Sequence, residues 1–170
     1  MESFEFMSKK VELDEGLRYF TPYDYWVKLE EEKGLITLGL TPTGNIKEGE
    51  YRSVEFSLKE GDEISCGDVI AVAITGKIKY LDSMVDGRVA AVNWELEKDI
   101  NILKGSLEEG WLLRIITSNA REVYEDMVPL SEYKEILKRF EAGAVPPGTK
   151  GGTSPTCRSV YQSIKEQKEK

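Results

Sequence analysis

Val69-Ile70-Ala71-Val72-Ala73-Ile74-Thr75-Gly76-Lys77-Ile78-Lys79-Tyr80-Leu81-Asp82-Ser83-Met84-Val85-Asp86-Gly87-Arg88-Val89 is the stretch that decides the fold of this 170-residue chain. It opens on six apolar residues with the length and β-branched character of a buried strand. Thr75-Gly76-Lys77-Ile78 follows as a turn, in which Gly76 can supply a positive φ at low cost and re-aim its neighbour outward. Beyond Asp86-Gly87, residues 88–92 read as another strand.

Working outward, further short extended stretches lie at 26–29, 35–40, 53–58 and 111–116, separated by Gly, Pro, Asn and Asp. That spacing predicts a mainly β, α+β domain, a sandwich or barrel of short strands. In Val54-Glu55-Phe56-Ser57-Leu58 alternate residues are apolar, so this strand has one core face and one wet face. Asp62 to Asp68 reads as a turn-rich approach to the next strand, and 41–48 and 94–103 as short helices in the crossings. Leu130, Tyr133, Ile136, Leu137 and Phe140 recur at helical spacing. Pro129 and an N-cap at Ser131 would start that helix, and Ala142-Gly143 would end it. A preceding helix over 119–127 completes a C-terminal pair.

Composition narrows the function. No apolar run approaches the roughly 18 residues of a membrane span, and the acidic start Met1-Glu2-Ser3-Phe4-Glu5-Phe6 lacks the form of a secretory signal. A soluble, cytoplasmic protein is expected. Histidine is absent, which removes the commonest general base, the Ser-His and Cys-His arrangements and most zinc sites. The net charge of −8 opposes nucleic acid binding. Cys66 and Cys157 lie too far apart in sequence to read as a disulfide framework, so reduced thiols are expected.

Residues 144–155, Ala-Val-Pro-Pro-Gly-Thr-Lys-Gly-Gly-Thr-Ser-Pro, have a linker composition. From Gly143 onward the charge is +3, leaving −11 for the rest. In 158–170 only Val160, Tyr161 and Ile164 are apolar, so this segment needs a partner to fold. The chain therefore divides into an extension at 1–16, a domain at 17–142 and a linker with a basic tail at 143–170.

Several stretches, in order, resemble the glycine cleavage system H-protein family. Tyr25-Trp26-Val27 and Gly34-Leu35-Ile36-Thr37-Leu38-Gly39-Leu40-Thr41 look like its opening, Trp-Val and then an apolar strand. Val54-Glu55-Phe56-Ser57-Leu58 and Gly61-Asp62-Glu63-Ile64 resemble its Val-Glu-Leu-Pro and Gly-Asp stretch. Val85-Asp86-Gly87-Arg88-Val89 and Val92-Asn93 resemble Pro-Val-Ser-Gly-Glu-Val and Val-Asn. Glu109-Gly110-Trp111-Leu112-Leu113-Arg114-Ile115 is similar to its Gly-Trp-Leu-Lys-Ile strand, and Ser131-Glu132-Tyr133 to its closing helix. The resemblance implies a lipoyl/biotinyl-type fold and a non-catalytic carrier of glycine catabolism. Its lipoate would be joined by an amide to a hairpin lysine. Partner enzymes of a glycine-cleavage-like or other lipoate-dependent system, and a lipoate ligase, are implied; nucleic acid and membranes are not, and a monomer is expected.

The family's acylated lysine lies eleven residues before the glycine of the facing turn. Counted back from Gly87, that position is Gly76, which has nothing to acylate. Lys77 is the candidate attachment residue, with an unmodified surface Lys77 and attachment at Lys79 as alternatives. Biotinyl domains resemble Ala-Met-Lys-Met here, so biotin fits poorly. An H-like binding or regulatory module without lipoate is the rival function. Cys66 reads as a structural cysteine and Cys157, beside Arg158, as an exposed thiol. Glu30-Glu31-Glu32 and the group Glu95, Glu97 and Asp99 read as solvated faces. Trp26 and Trp111 are expected in the core and Trp94 at its rim.

Overall fold

The computed structural model describes residues 1–143. In chain order its strands and helices are β1 (Glu2–Phe6), β2 (Lys9–Leu13), β3 (Arg18–Phe20), β4 (Tyr25–Glu30), β5 (Leu35–Leu40), α1 (Pro42–Lys47), β6 (Ser53–Phe56), β7 (Glu63–Ile64), β8 (Val69–Ile74), β9 (Ile78–Asp82), β10 (Gly87–Val92), α2 (Glu95–Lys98), β11 (Trp111–Ile116), α3 (Ala120–Glu125), β12 (Val128–Pro129) and α4 (Leu130–Glu141).

The strands form three antiparallel sheets: a seven-stranded one in the order β12-β3-β4-β5-β11-β10-β7, a three-stranded one in the order β6-β8-β9, and the β1-β2 hairpin. The expected strands at 35–40, 69–74 and 111–116 occur with those limits. The main core joins the two larger sheets: Val27, Ile36 and Leu38 from one meet Val54, Ala73 and Leu81 from the other. All of these are nearly or wholly withdrawn from water, and each contributes about 1.5–3 kcal/mol of burial if it is a Val, Leu or Ile.

A second core lies under the β1-β2 hairpin. Phe6, Val11 and Leu13 cover Tyr19, Trp26, Tyr133 and Leu137, and the Tyr19 and Tyr133 rings stack with centroids 4.7 Å apart. Tyr133 Oη donates to Asp24 Oδ1 at 2.6 Å, and Lys47 Nζ donates to the same oxygen at 3.1 Å. A buried carboxylate needs such partners to stay charged. Asp24 has φ 55°, a left-handed conformation that Asp tolerates better than most residues.

Some local expectations change. Helix α4 is capped at Pro129, not Ser131, because Val128 and Pro129 pair with β3 and deliver the chain to the helix at Leu130. Residues 94–103 form no single helix: Asp99 turns extended after α2, and its carboxylate accepts the Asn101 N–H to start a separate 3-10 turn. Trp26 is buried and Trp94 partly exposed as expected, whereas Trp111 is only half-buried. No helix among the described residues is long and apolar enough to cross a membrane.

Candidate functional site

Strands β8 and β9 form a hairpin in which Ile74 faces Ile78, Val72 faces Tyr80 and Val69 faces Asp82, with a bulge between Val69 and Ala71. Alternate residues of a strand occupy opposite faces. Ala71, Ala73 and Leu81 enter the main core, while Ile74, Ile78 and Tyr80 are exposed, the last two at 64% and 59%.

The base of the hairpin is fixed from several sides. Gly67 N–H donates to the Ser83 carbonyl at 2.9 Å, and Ser83 N–H to the Asp68 carbonyl at 2.8 Å. Tyr23 Oη donates to Asp82 Oδ2 at 2.6 Å, and Tyr25 Oη to the Asp82 carbonyl at 3.0 Å. At Gly87, which starts β10, a Cβ would collide with the Ile116 carbonyl; β10 can approach β11 this closely only with glycine there.

The tip consists of Thr75, Gly76 and Lys77. Thr75 is buried at 3% exposure. Its N–H donates to the Lys77 carbonyl at 2.8 Å, and its Oγ1 accepts the Lys77 N–H at 3.2 Å. Gly76 does not take the expected positive φ. The turn closes through Thr75 instead, so the freedom of glycine is not what shapes it. A Cβ at Gly76 would meet nothing within 4 Å.

Lys77 is exposed and has no ion-pair partner among the described residues. Lys79 differs: its side chain is 21% exposed and its Nζ lies 2.5 Å from Glu48 Oε1. The structure thus brings Gly76 and Lys77 together at one exposed apex and withdraws Lys79 into an ion pair.

Cys66 corrects an expectation. It is buried and disulfide-bonded, not a reduced thiol. Separation in sequence does not limit pairing, which requires only that the fold bring two sulfurs together. Cys157, the linker and the basic tail lie outside the described residues. The acidic stretches are occupied by ordinary contacts. Arg121 bridges Glu31, whose carboxyl it holds below the usual range, and Glu97 Oε2 accepts the Phe56 N–H at 3.2 Å. No cluster of three potential metal-ligating side chains occurs among the described residues.

Sequence reasoning missed Thr75 as the clamp of the tip, because neighbouring side-chain bonds in a turn leave no periodic trace. It also missed the apolar outer face of the hairpin, although the alternation of Val72, Ile74, Ile78 and Tyr80 was a usable signal.

A family model described as Glycine cleavage H-protein matches residues 17–140. The glycine cleavage system H protein of Halalkalibacterium halodurans is 28% identical over 127 residues, 74% of this chain and 95% of that one. The mitochondrial H protein of Flaveria trinervia is 28% identical over 142 residues, 83% of each chain. In three dimensions, a glycine cleavage system H protein from Mycobacterium marinum superposes with a TM-score of 0.60 at 18% identity, covering 77% of this chain and 99% of that one; it supports the fold alone. The match of a family model to most of the chain, with its motifs placed on the expected strands, means that this chain belongs to the glycine cleavage H-protein family, whose members are non-catalytic carriers.

Proposed function

We propose that this protein carries lipoate on Lys77 and moves an aminomethyl, sulfur or acyl intermediate between partner enzymes. The observation that carries the reading is Lys77 itself, an exposed amine that has no ion-pair partner among the described residues, at the apex of a hairpin whose base is fixed. Lipoate fits this residue. Amide formation consumes a primary amine, and an amine at the tip is open both to a ligase and to a long arm. The group, once attached, would supply a dithiolane able to accept and release the cargo.

This chain's own residues supply position. Thr75 fixes the backbone on either side of the amine-bearing carbon, and Asp82, held by Tyr23 and Tyr25, anchors the hairpin to the main sheet. A fixed base with a mobile arm raises the effective concentration of cargo at each partner. Lys79 is the poorer acceptor, since acylating it breaks the Glu48 pair.

A second reading is favoured by Gly76, which stands where the family's lysine is expected: an H-like module without lipoate, acting through its surfaces. Intact mass of protein from its native host, or coexpressed with its cognate ligase, separates the two. A lipoyl adduct lost in Lys77→Ala supports the carrier. Unmodified protein beside a control domain that is modified rejects it.

A further inference from the structure

The hairpin carries two primary amines two residues apart, Lys77 and Lys79, and an element outside the hairpin holds one of them. The chain at 48–52, which leads from α1 to β6, leans on both strands. Arg52 N–H donates to the Ile74 carbonyl of β8 at 2.7 Å, and Lys79 Nζ of β9 donates to Glu48 Oε1 at 2.5 Å. The side chains of this pair are 21% and 31% exposed, whereas Lys98 and Glu95 pair in the open. Lys77 is exposed and has no ion-pair partner among the described residues.

The backbone that presents Glu48 is fixed at almost every residue. Glu48 N–H closes α1 on the Gly44 carbonyl at 3.1 Å. Gly49 and Glu50 then take left-handed conformations in succession, both at φ 75°, a region that a residue with a Cβ seldom enters. Asn45 holds them there: its carbonyl accepts the Glu50 N–H at 2.8 Å, and its Oδ1 accepts the Tyr51 N–H at 2.7 Å. Tyr51, buried, enters the main core. A carboxylate presented by so constrained a loop loses less freedom on pairing than one on a mobile chain.

We propose that Glu48 is a positioning residue that selects the acylated amine: it withholds Lys79 and leaves Lys77 as the reactive nitrogen of the tip. For lipoate this selection rests on the carrier reading above; for a simple acyl donor it stands alone. In acylation the amine lone pair forms a bond to the acyl carbon, the donor's leaving group departs with its bonding electrons, and an amine proton passes to solvent. Paired as an ammonium, Lys79 has no lone pair to offer and must first leave Glu48. Its amide product is neutral, so Glu48 loses its cation. Lys77 meets neither cost.

The test exposes the full chain to limiting N-hydroxysuccinimidyl acetate and reads the separate rates at Lys77 and Lys79 by peptide mass. Lys79 should react about five-fold more slowly, the size expected of a partly exposed ion pair. Glu48→Gln should raise the Lys79 rate by about that factor and leave Lys77 as it was. In the unaltered protein, about 1 M salt should raise Lys79 relative to Lys77 by screening the pair; this arm depends on no variant folding. Equal rates at the two lysines in the unaltered protein, no gain at Lys79 in Glu48→Gln, or an equal gain at both, as a merely loosened tip would give, overturns the proposal. Coexpressed with the cognate ligase, unaltered protein should carry its adduct on Lys77 and Glu48→Gln should carry part of it on Lys79. An adduct on Lys77 alone in both forms also overturns the selection, whereas no adduct in either rejects the carrier reading and leaves the reagent rates to decide the role of Glu48.

Discussion

Thr75 holds the backbone of Lys77 at both of its polar groups, donating its N–H to the Lys77 carbonyl at 2.8 Å and accepting the Lys77 N–H on its hydroxyl at 3.2 Å. Thr75→Val keeps the shape of this buried side chain and deletes the hydroxyl. It is expected to cost about 1 kcal/mol of stability and to speed amide exchange at Lys77. Unchanged exchange would mean that the backbone bond alone sets the tip.

Gly76→Lys is expected to fold with unchanged stability, because a Cβ there enters open space and the backbone φ is not left-handed. It restores an amine at the family's position. Coexpression with a lipoate ligase that modifies a control H protein should then add a lipoyl group at residue 76, read by peptide mass. Failure to modify this variant would show that recognition of the hairpin, and not only the lysine, has been lost.

Tyr133→Phe removes a hydrogen bond to the buried Asp24 carboxylate while keeping the ring stacked on Tyr19. A bond to a charged group is worth about 2 kcal/mol, and a loss of unfolding free energy of that size is expected from denaturant titration, read as a lowered midpoint at unchanged slope. Because Tyr133 sits on α4, the variant should also loosen amide protection in that helix ahead of the main sheets.

Alkaline pH should destabilise the fold through buried phenols. Tyr133 is raised above its usual value by burial and then by the Asp24 charge; Tyr19 and Tyr51 are raised chiefly by burial. Each folded phenol therefore keeps its proton above pH 10, where the unfolded chain releases its own. Stability is complete below that pH and falls above it, by about 1.4 kcal/mol per pH unit for each phenol until its folded value is reached. Urea midpoints measured across this range, with tyrosinate absorbance appearing together with unfolding, check the prediction. Tyrosinate absorbance from all three in the folded state would contradict it.

Gly39→Ala places a methyl group against the indole of Trp26, whose ring lies over this glycine on the neighbouring strand. Overpacking of this kind costs about 1–3 kcal/mol. Thermal melts should show it, while Gly49→Ala, where a Cβ meets nothing but φ is 75°, isolates the cost of backbone strain alone.

Much of the body is readable from local pattern. The runs at 35–40, 69–74 and 111–116 are bounded by turn residues and emerge as β5, β8 and β11 unchanged, and the Gly143 stop of α4 takes its left-handed conformation. Those features depend on neighbours in sequence, which periodicity reports. The Ser131 cap failed because strand pairing of Val128 and Pro129 with β3, more than 100 residues away, overrode a local preference.

The candidate site divides along the same line. Counting residues from Gly87 was enough to find glycine where the family has lysine, and to name Lys77 and Lys79 as the nearest amines. Only the tertiary structure separates those two. Lys79 reaches Glu48 at the end of α1, whereas Lys77 reaches no acidic partner among the described residues. Sequence determined which chemical groups this protein has and the order of its strands. The fold decided which groups remain open to solvent, because burial and pairing arise between elements that are remote along the chain.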